Sequence, residues 1–391
     1  MRDMVEIGMG RTARRTYELD DVDIVPSRRT RSASQVSLAW QLDAYRFDIP
    51  FLTHPTDALA SPEFAIEIGR RGGLGVINGE GLWARHADVS AKIDQLLELA
   101  DKGSYQRAVA FLQELHAAPM QPDLLAAAVG QVRAGGVTVA VRVSPQNARA
   151  LTPALVQAGI DLLVVQGTII SAEHVSDGEP LNLKTFIAEL DVPVVAGGVS
   201  DHRTALHLMR TGAAGVIVGY GSQPGATTTG EVLGIGVPMA TAIADAAAAR
   251  RDYLDETGGR YVHVIADGDI NTSGQLAKAI ACGADAAMLG APLAIAAEAP
   301  GRGWYWPSAA AHPSVPRGSL LSLDEPWDLA EEILGQAPPA PVRPSLEQLL
   351  TGPSDDPFGS LNLVGGLRRS MAKAGYSDLK EFQKVGLSVR A

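Results

Sequence analysis

Short, almost uninterrupted apolar runs alternate with amphipathic stretches through most of the chain. Eight runs read as strands: 49–54 (IPFLTH), 73–78 (GLGVIN), 137–143 (VTVAVRV), 161–168 (DLLVVQGT), 192–199 (VPVVAGGV), 214–221 (AGVIVGYG), 261–270 (YVHVIADGDI) and 285–294 (DAAMLGAPLA). Their richness in valine and isoleucine, without polar alternation, is the pattern of parallel strands buried on both faces. Between them lie helical patterns such as SPEFAIEIGRRG, DHRTALHLMRTG and SGQLAKAIACG, which open on Ser or Asp and close on Gly. Eight strands with intervening helices predict an α/β fold, a (β/α)8 TIM barrel, with function at the C-terminal ends of the strands. A doubly wound open sheet is the other arrangement of such elements. No G-x-G-x-x-G follows the first strand to favour it.

The pattern breaks in two places. Residues 79–136 carry three helical periods, roughly 87–100, 104–117 and 121–133, and read as a helical insertion after the second strand. Beyond residue 300 the sequence turns proline-rich and loses its period, so 300–360 reads as an irregular flap region. Residues 361–391, with VGGLRRSMAKAGYSDLKEF, read as a terminal helix. The whole of 1–391 is then a single barrel domain.

Composition narrows the function classes. A net charge of −11 and a pI near 5.2 argue against nonspecific nucleic-acid binding, which needs a basic face. The local basic clusters, Arg11, Arg14 and Arg15, then Arg28, Arg29 and Arg31, read as arms that meet the acidic surface of another subunit. No apolar run approaches the ~18 residues of a membrane span, and the opening MRDMVEIGMGRTARR lacks a secretory apolar core. These features predict a cytoplasmic protein. One cysteine in 391 residues excludes a disulfide framework and a multi-cysteine zinc site, and no histidine spacing suggests a metal.

The strand ends supply the candidate chemistry: His54, Asp57, Asn78, Gln166 to Thr168, Gly197, Gly198, the 219–230 loop, Asp267 to Asp269, and Gly290. Glycines there let a ligand approach backbone N–H groups, the usual way to hold phosphate. Asp267 is suited either to accept from both hydroxyls of a ribose or to cap a turn. Asp267 and Asp269 together also suit acid–base work or a divalent cation.

Several blocks, in order, resemble the IMP dehydrogenase/GMP reductase family, and within it a short bacterial subfamily without CBS domains. They are YELDDVDIVPS, RRGGLGVIN, GVPMATAIADAA, VIADGDINTSGQLAKAIACGADAAMLG and LVGGLRRSM. The resemblance implies a barrel of purine nucleotide metabolism, a homo-oligomer (tetramer or higher), binding IMP, XMP or GMP with NAD or NADP. It implies substrate contacts at Gly221, Thr228, Asp267, Gly268, Asp269 and Gly290, and cofactor contacts at Gln166, Thr168, Gly197 and Gly198.

The residues that perform the family's chemistry depart from its pattern. Counting back from the shared GVP at 236–238 puts Thr227 where the family carries its nucleophilic cysteine, and nothing in 219–230 is cysteine. A hydroxyl needs an adjacent base to act as a nucleophile, whereas a thiol is partly ionised near neutral pH. Val199 replaces an amide, Asp269 a phosphate-binding glycine, Ala291 a serine, and Pro316 a tyrosine. Arg343 is the nearest counterpart of the flap arginine, and Cys282 reads as a buried helix residue. The expectation is an IMP dehydrogenase-related protein whose activity is weak or lost, or a non-catalytic nucleotide-binding or assembly protein on the same barrel.

Overall fold

The computed structural model describes residues 4–174, 181–220, 230–314, 318–323 and 343–390. Eight parallel strands form one sheet: β1 (Phe51–Thr53), β2 (Val76–Asn78), β3 (Ala140–Val143), β4 (Leu162–Gln166), β5 (Val194–Val199), β6 (Gly215–Val218), β7 (His263–Asp267) and β8 (Ala286–Leu289). From β2 onward each pairs with the next, and β8 pairs with β1. A single parallel bridge between Leu52 and Leu74 joins β1 to the approach of β2, so the sheet closes into a (β/α)8 barrel. All eight contain or fall within the predicted runs. Nearly every strand side chain is buried, as parallel strands covered by helices require.

Helices Val89–Asp101, Tyr105–Ala117 and Pro122–Ala134 lie between β2 and β3. Each buries one stripe, such as Ile93, Leu96 and Leu97 on the first.

The two ends of the chain differ from the sequence expectation. The helix Leu363–Ala374 stops at Gly375, whose left-handed φ of 93° ends it. A short helix Leu379–Phe382 and a strand Gly386–Val389 follow, so 361–391 is not one helix. That strand pairs antiparallel with Val22–Val25, and Arg390 grips Asp23 through both carboxylate oxygens at 2.8 and 2.9 Å. Described parts of the region after 300 also form regular structure. Trp304–Tyr305 pairs with Leu321–Ser322, Tyr305 and Trp306 are fully buried, and Leu346–Thr351 is helical behind a Ser345 capping box. Aromatic anchors hold this segment, and these carry no period to read.

The N-terminal basic cluster folds as well. Met4–Gly8 and Arg11–Arg14 form a hairpin around Gly10, whose φ is 73°. Arg14 does not wait for another subunit; it makes a two-bond fork onto Asp245 of its own chain, at 3.0 and 2.7 Å. An isolated hairpin is marginal in water, so this fork is its anchor. Arg14→Ala is expected to speed amide exchange across residues 4–14 while lowering global stability by no more than ~1 kcal/mol. Unchanged exchange there would show that the anchor lies elsewhere.

Candidate functional site

The site is built on the C-terminal ends of β1, β4, β7 and β8. Asp267, the last residue of β7, is 3% exposed. Its Oδ2 accepts a 2.8 Å hydrogen bond from Gln166 Nε2 at the end of β4, across the barrel mouth. The same amide nitrogen lies 3.5 Å from the Met288 sulfur of β8. The other end of that amide, Gln166 Oε1, is buried without a hydrogen-bond partner. His54, just past β1, brings Nε2 to 3.8 Å from Asp267 Oδ2, and its Nδ1 is likewise buried without a partner.

Burial decides the charge state of this pair. It pushes the Asp267 carboxyl up to about 7, with the Gln166 bond pulling the other way. Burial also pushes the His54 imidazole down to about 4, helped by the nearby Arg142 guanidinium. At neutral pH His54 is therefore uncharged. At 3.8 Å it is a polar neighbour of Asp267 rather than an ion-pair partner.

A small cleft, with a volume of about 20 Å³, opens beside this floor. It is lined by 267–271 from the β7 end and by Met288 and 290–292 from the β8 end. Asp267, Gly268, Asp269 and Gly290, named from the sequence as substrate contacts, are thus brought together. Gly290 is required there: a Cβ would stand 2.7 Å from the Tyr305 hydroxyl and 3.5 Å from His54 Cβ. Asp269 sits at φ 54°, a left-handed conformation that Asp tolerates. Glu18 lies close enough to feel it. Burial raises the Glu18 carboxyl above its ordinary value, a bond from the Met239 N–H opposes this, and the Asp269 charge adds to the rise.

The other side of the mouth is filled by the protein's own groups. Glu80, after β2, accepts from Arg142 at 3.0 Å, from the Ser144 N–H at 2.7 Å and its hydroxyl at 2.8 Å, and from the Asn147 amide. Arg142 also donates to the Gln166 carbonyl at 2.7 Å. Asp57 takes a 2.8 Å bond with His116 of the helical insertion and another from the Leu82 N–H. Above β1, Thr56 donates to the carbonyl of Trp306. Sequence reasoning had passed over Glu80, Arg142, His116 and Tyr305. The arginine inside the apolar run VTVAVRV was the available signal, since a charge on a barrel strand needs a buried partner.

The residues named for a cofactor lie at the ends of β4 and β5. Gln166 turns inward onto Asp267. The Gly198 N–H donates to the Gly167 carbonyl at 3.1 Å, and the Gly167 N–H donates to Gly197 at 3.0 Å. A Cβ at Gly198 would lie 2.1 Å from the Gly219 carbonyl, so this glycine serves close backbone packing. Val199 is buried, and Thr168 sits half-buried at a bend. Thr227, Gly221, Thr228 and Pro316 lie outside the described residues. Cys282 ends the helix Ser273–Cys282, which runs from the β7 rim back toward the far end of the barrel. Burial pushes its thiol up to about 11, against a weaker pull from Lys278. Arg343 lies beside Asp101 and Trp304 in a surface cleft. Among the described residues, no group of three or more His, Cys, Asp or Glu is placed to hold a metal ion. No helix among them is long and apolar enough to cross a membrane.

The sequence profile of the IMP dehydrogenase/GMP reductase domain matches residues 16–390. The chain belongs to that family. The crystal structure of an IMP dehydrogenase/GMP reductase-like protein from Corynebacterium glutamicum aligns with a TM-score of 0.90 and 57% identity, covering 99% of this chain and 98% of that one. An uncharacterized oxidoreductase of Mycolicibacterium smegmatis is 76% identical over 388 residues, which is 99% of this chain and 100% of its own length. The inosine-5'-monophosphate dehydrogenase of Aquifex aeolicus is 36% identical over 239 residues, 61% of this chain and 46% of that enzyme.

Proposed function

We propose that this member of the IMP dehydrogenase/GMP reductase family binds a purine ribosyl ligand in the β7–β8 cleft without the family's covalent chemistry. The observation that carries this reading is the position of the chain's one thiol. Cys282 lies at the end of a helix remote from the cleft, buried and held protonated. A protonated, enclosed thiol neither attacks a purine nor reaches one. What the cleft retains is a recognition group. Once ionised, Asp267 can accept from a vicinal diol, with Gln166 fixing its orientation through Oδ2.

The groups around β4 and β5 do not fit a nicotinamide dinucleotide. Gln166 faces Asp267, the Gly198 N–H is spent on Gly167, and the side of the mouth toward β2 and β3 is occupied by Glu80 and Arg142. No step is therefore assigned to NAD or NADP.

Purified protein mixed with IMP and NAD, and separately with GMP and NADPH, is expected to leave nicotinamide absorbance unchanged. Turnover that Thr227→Ala abolishes would overturn the reading. Calorimetry with IMP, XMP, GMP and their nucleosides is expected to show binding of at least one, lost in Asp267→Ala. We place the protein in the cytoplasm as a homo-oligomer, tetrameric or larger, which its mass in solution will check.

A further inference from the structure

Six cations gather where the segment 27–31 crosses the end of the Leu363–Ala374 helix. The Ser27 N–H donates to the Ala374 carbonyl at 3.4 Å, and the Arg31 N–H to the Ala372 carbonyl at 2.9 Å. Arg31 Nε donates to the Gly375 carbonyl at 2.7 Å. A Cβ on Gly375 would stand 2.3 Å from the Arg29 carbonyl oxygen, so the segment lies directly on the helix end. The crossing brings Arg28, Arg29 and Arg31 to the helix that carries Arg368, Arg369 and Lys373. Five of the six are exposed, and Arg368 is half-buried.

Among the described residues, none of these six has a carboxylate within ion-pair distance. The acids of the flanking elements are committed elsewhere. Asp23 pairs with Arg390 and Lys278, Glu381 with Lys384, and Asp285 with Arg250 and Lys380. Asp378 caps its own helix, accepting from the Glu381 N–H at 2.9 Å. Arg368 Nε is buried without an acceptor, which is costly unless something arrives to accept from it. The helix dipole favours positive charge in the last turn and accounts for Lys373. It does not account for three arginines delivered by a separate segment.

We propose that this surface is a contact between copies of the chain, in which the six cations meet an acidic face of a second copy. This rests on the homo-oligomer reading above. With a net charge of −11, the chain has carboxylates to spare on the rest of its surface. Five of the six cations are guanidinium groups, whose planar fork grips a carboxylate through two parallel bonds. A patch of one sign cannot face itself across a two-fold axis, so it meets a different surface of the neighbour. Nucleic acid fits less well. The net negative charge repels it, and none of the six residues is an aromatic on which a base could stack.

The test treats the full chain with a carbodiimide, which joins a lysine to a carboxylate in direct contact. Peptides linked through Lys373 are expected in the cross-linked dimer band and not in the monomer band. Sedimentation at about 0.1 M salt then compares wild type with the triple variant Arg28→Glu, Arg29→Glu, Arg31→Glu. The variant is expected to raise the dissociation constant of the assembly by about tenfold or more, since it sets like charges against each other. The pair Arg369→Glu, Lys373→Glu, made separately on the helix, is expected to do the same. Melting curves establish that both variants are folded. An assembly unchanged in both variants, or a dimer band without a Lys373 link, overturns this proposal alone. So does a duplex DNA oligonucleotide that the wild type binds and both variants release. If the wild type is a monomer, the homo-oligomer reading falls, and this proposal falls with it.

Discussion

Asp285→Asn is expected to destabilise the protein by about 3–5 kcal/mol, the cost of stripping one partner from a buried charge cluster. Asp285 lies just before β8 and is 3% exposed. Its Oδ2 accepts from Arg250 at 2.8 Å and from the Val264 N–H at 2.9 Å. Its Oδ1 accepts from Lys380 at 2.5 Å, the Tyr261 hydroxyl at 2.9 Å and the Gln383 amide at 3.0 Å. Burial alone would raise this carboxyl, but Arg250, Lys380 and His263 outweigh it and hold it well below the ordinary carboxylate range. A lowered folded-state pKa means the stabilisation is present above the unfolded value and is lost as pH falls through the folded one. Removing the charge leaves Arg250, itself buried, without its counter-ion. The cluster also joins three distant parts of the chain, since Arg250 lies on the helix Met239–Thr257 and Lys380 on the short C-terminal helix. Urea unfolding at pH 7 measures the loss. A change under about 1 kcal/mol would show that the cluster is solvated and weak.

Asp267→Asn is expected to act in the opposite direction, gaining stability at pH 8 while losing ligand binding. The folded protein holds the Asp267 proton until about pH 7, against 3.8 for an unperturbed group. Between those values the folded state binds more protons than the unfolded one, so stability falls as pH rises through that window. Above it the wild type carries a buried carboxylate faced, among the described residues, by Gln166, neutral His54 and Met288. The penalty is on the order of 4 kcal/mol by the free energy of a pKa shift, reduced where the cleft admits water. Asparagine keeps an oxygen for the Gln166 amide and removes the charge. Urea unfolding at pH 5 and pH 8 should show wild type losing stability over that interval relative to the variant. Parallel pH profiles for the two proteins would refute the assignment.

The barrel was legible because buried parallel strands leave continuous apolar runs, and each of the eight runs contains or overlaps its strand. The site was legible only at the level of position. Asp267, Asp269 and Gly290 could be placed at strand ends by counting, and the structure brings them to one cleft. What Gln166 does could not be read. A glutamine at a strand end looks like a ligand contact, and only the barrel's closure shows that it reaches across to β7. Arg14 is similar: a basic residue near the start of the chain reads as an arm until the Met239–Thr257 helix supplies Asp245. The ordered pieces among the described residues after 300 were not legible for another reason. Their order comes from a few large aromatic side chains buried against β1 and the insertion, which hydrophobic periodicity does not register.

The antiparallel pair formed by Val22–Val25 and Gly386–Val389 carries a consequence for synthesis. On the ribosome the first of these strands emerges long before its partner has been translated. Until residues 386–389 have been made it is an edge with exposed N–H and C=O groups, open to pairing with a neighbouring nascent chain. Those four residues retire that edge, so molecules released before they are made would be the ones most prone to stick to one another.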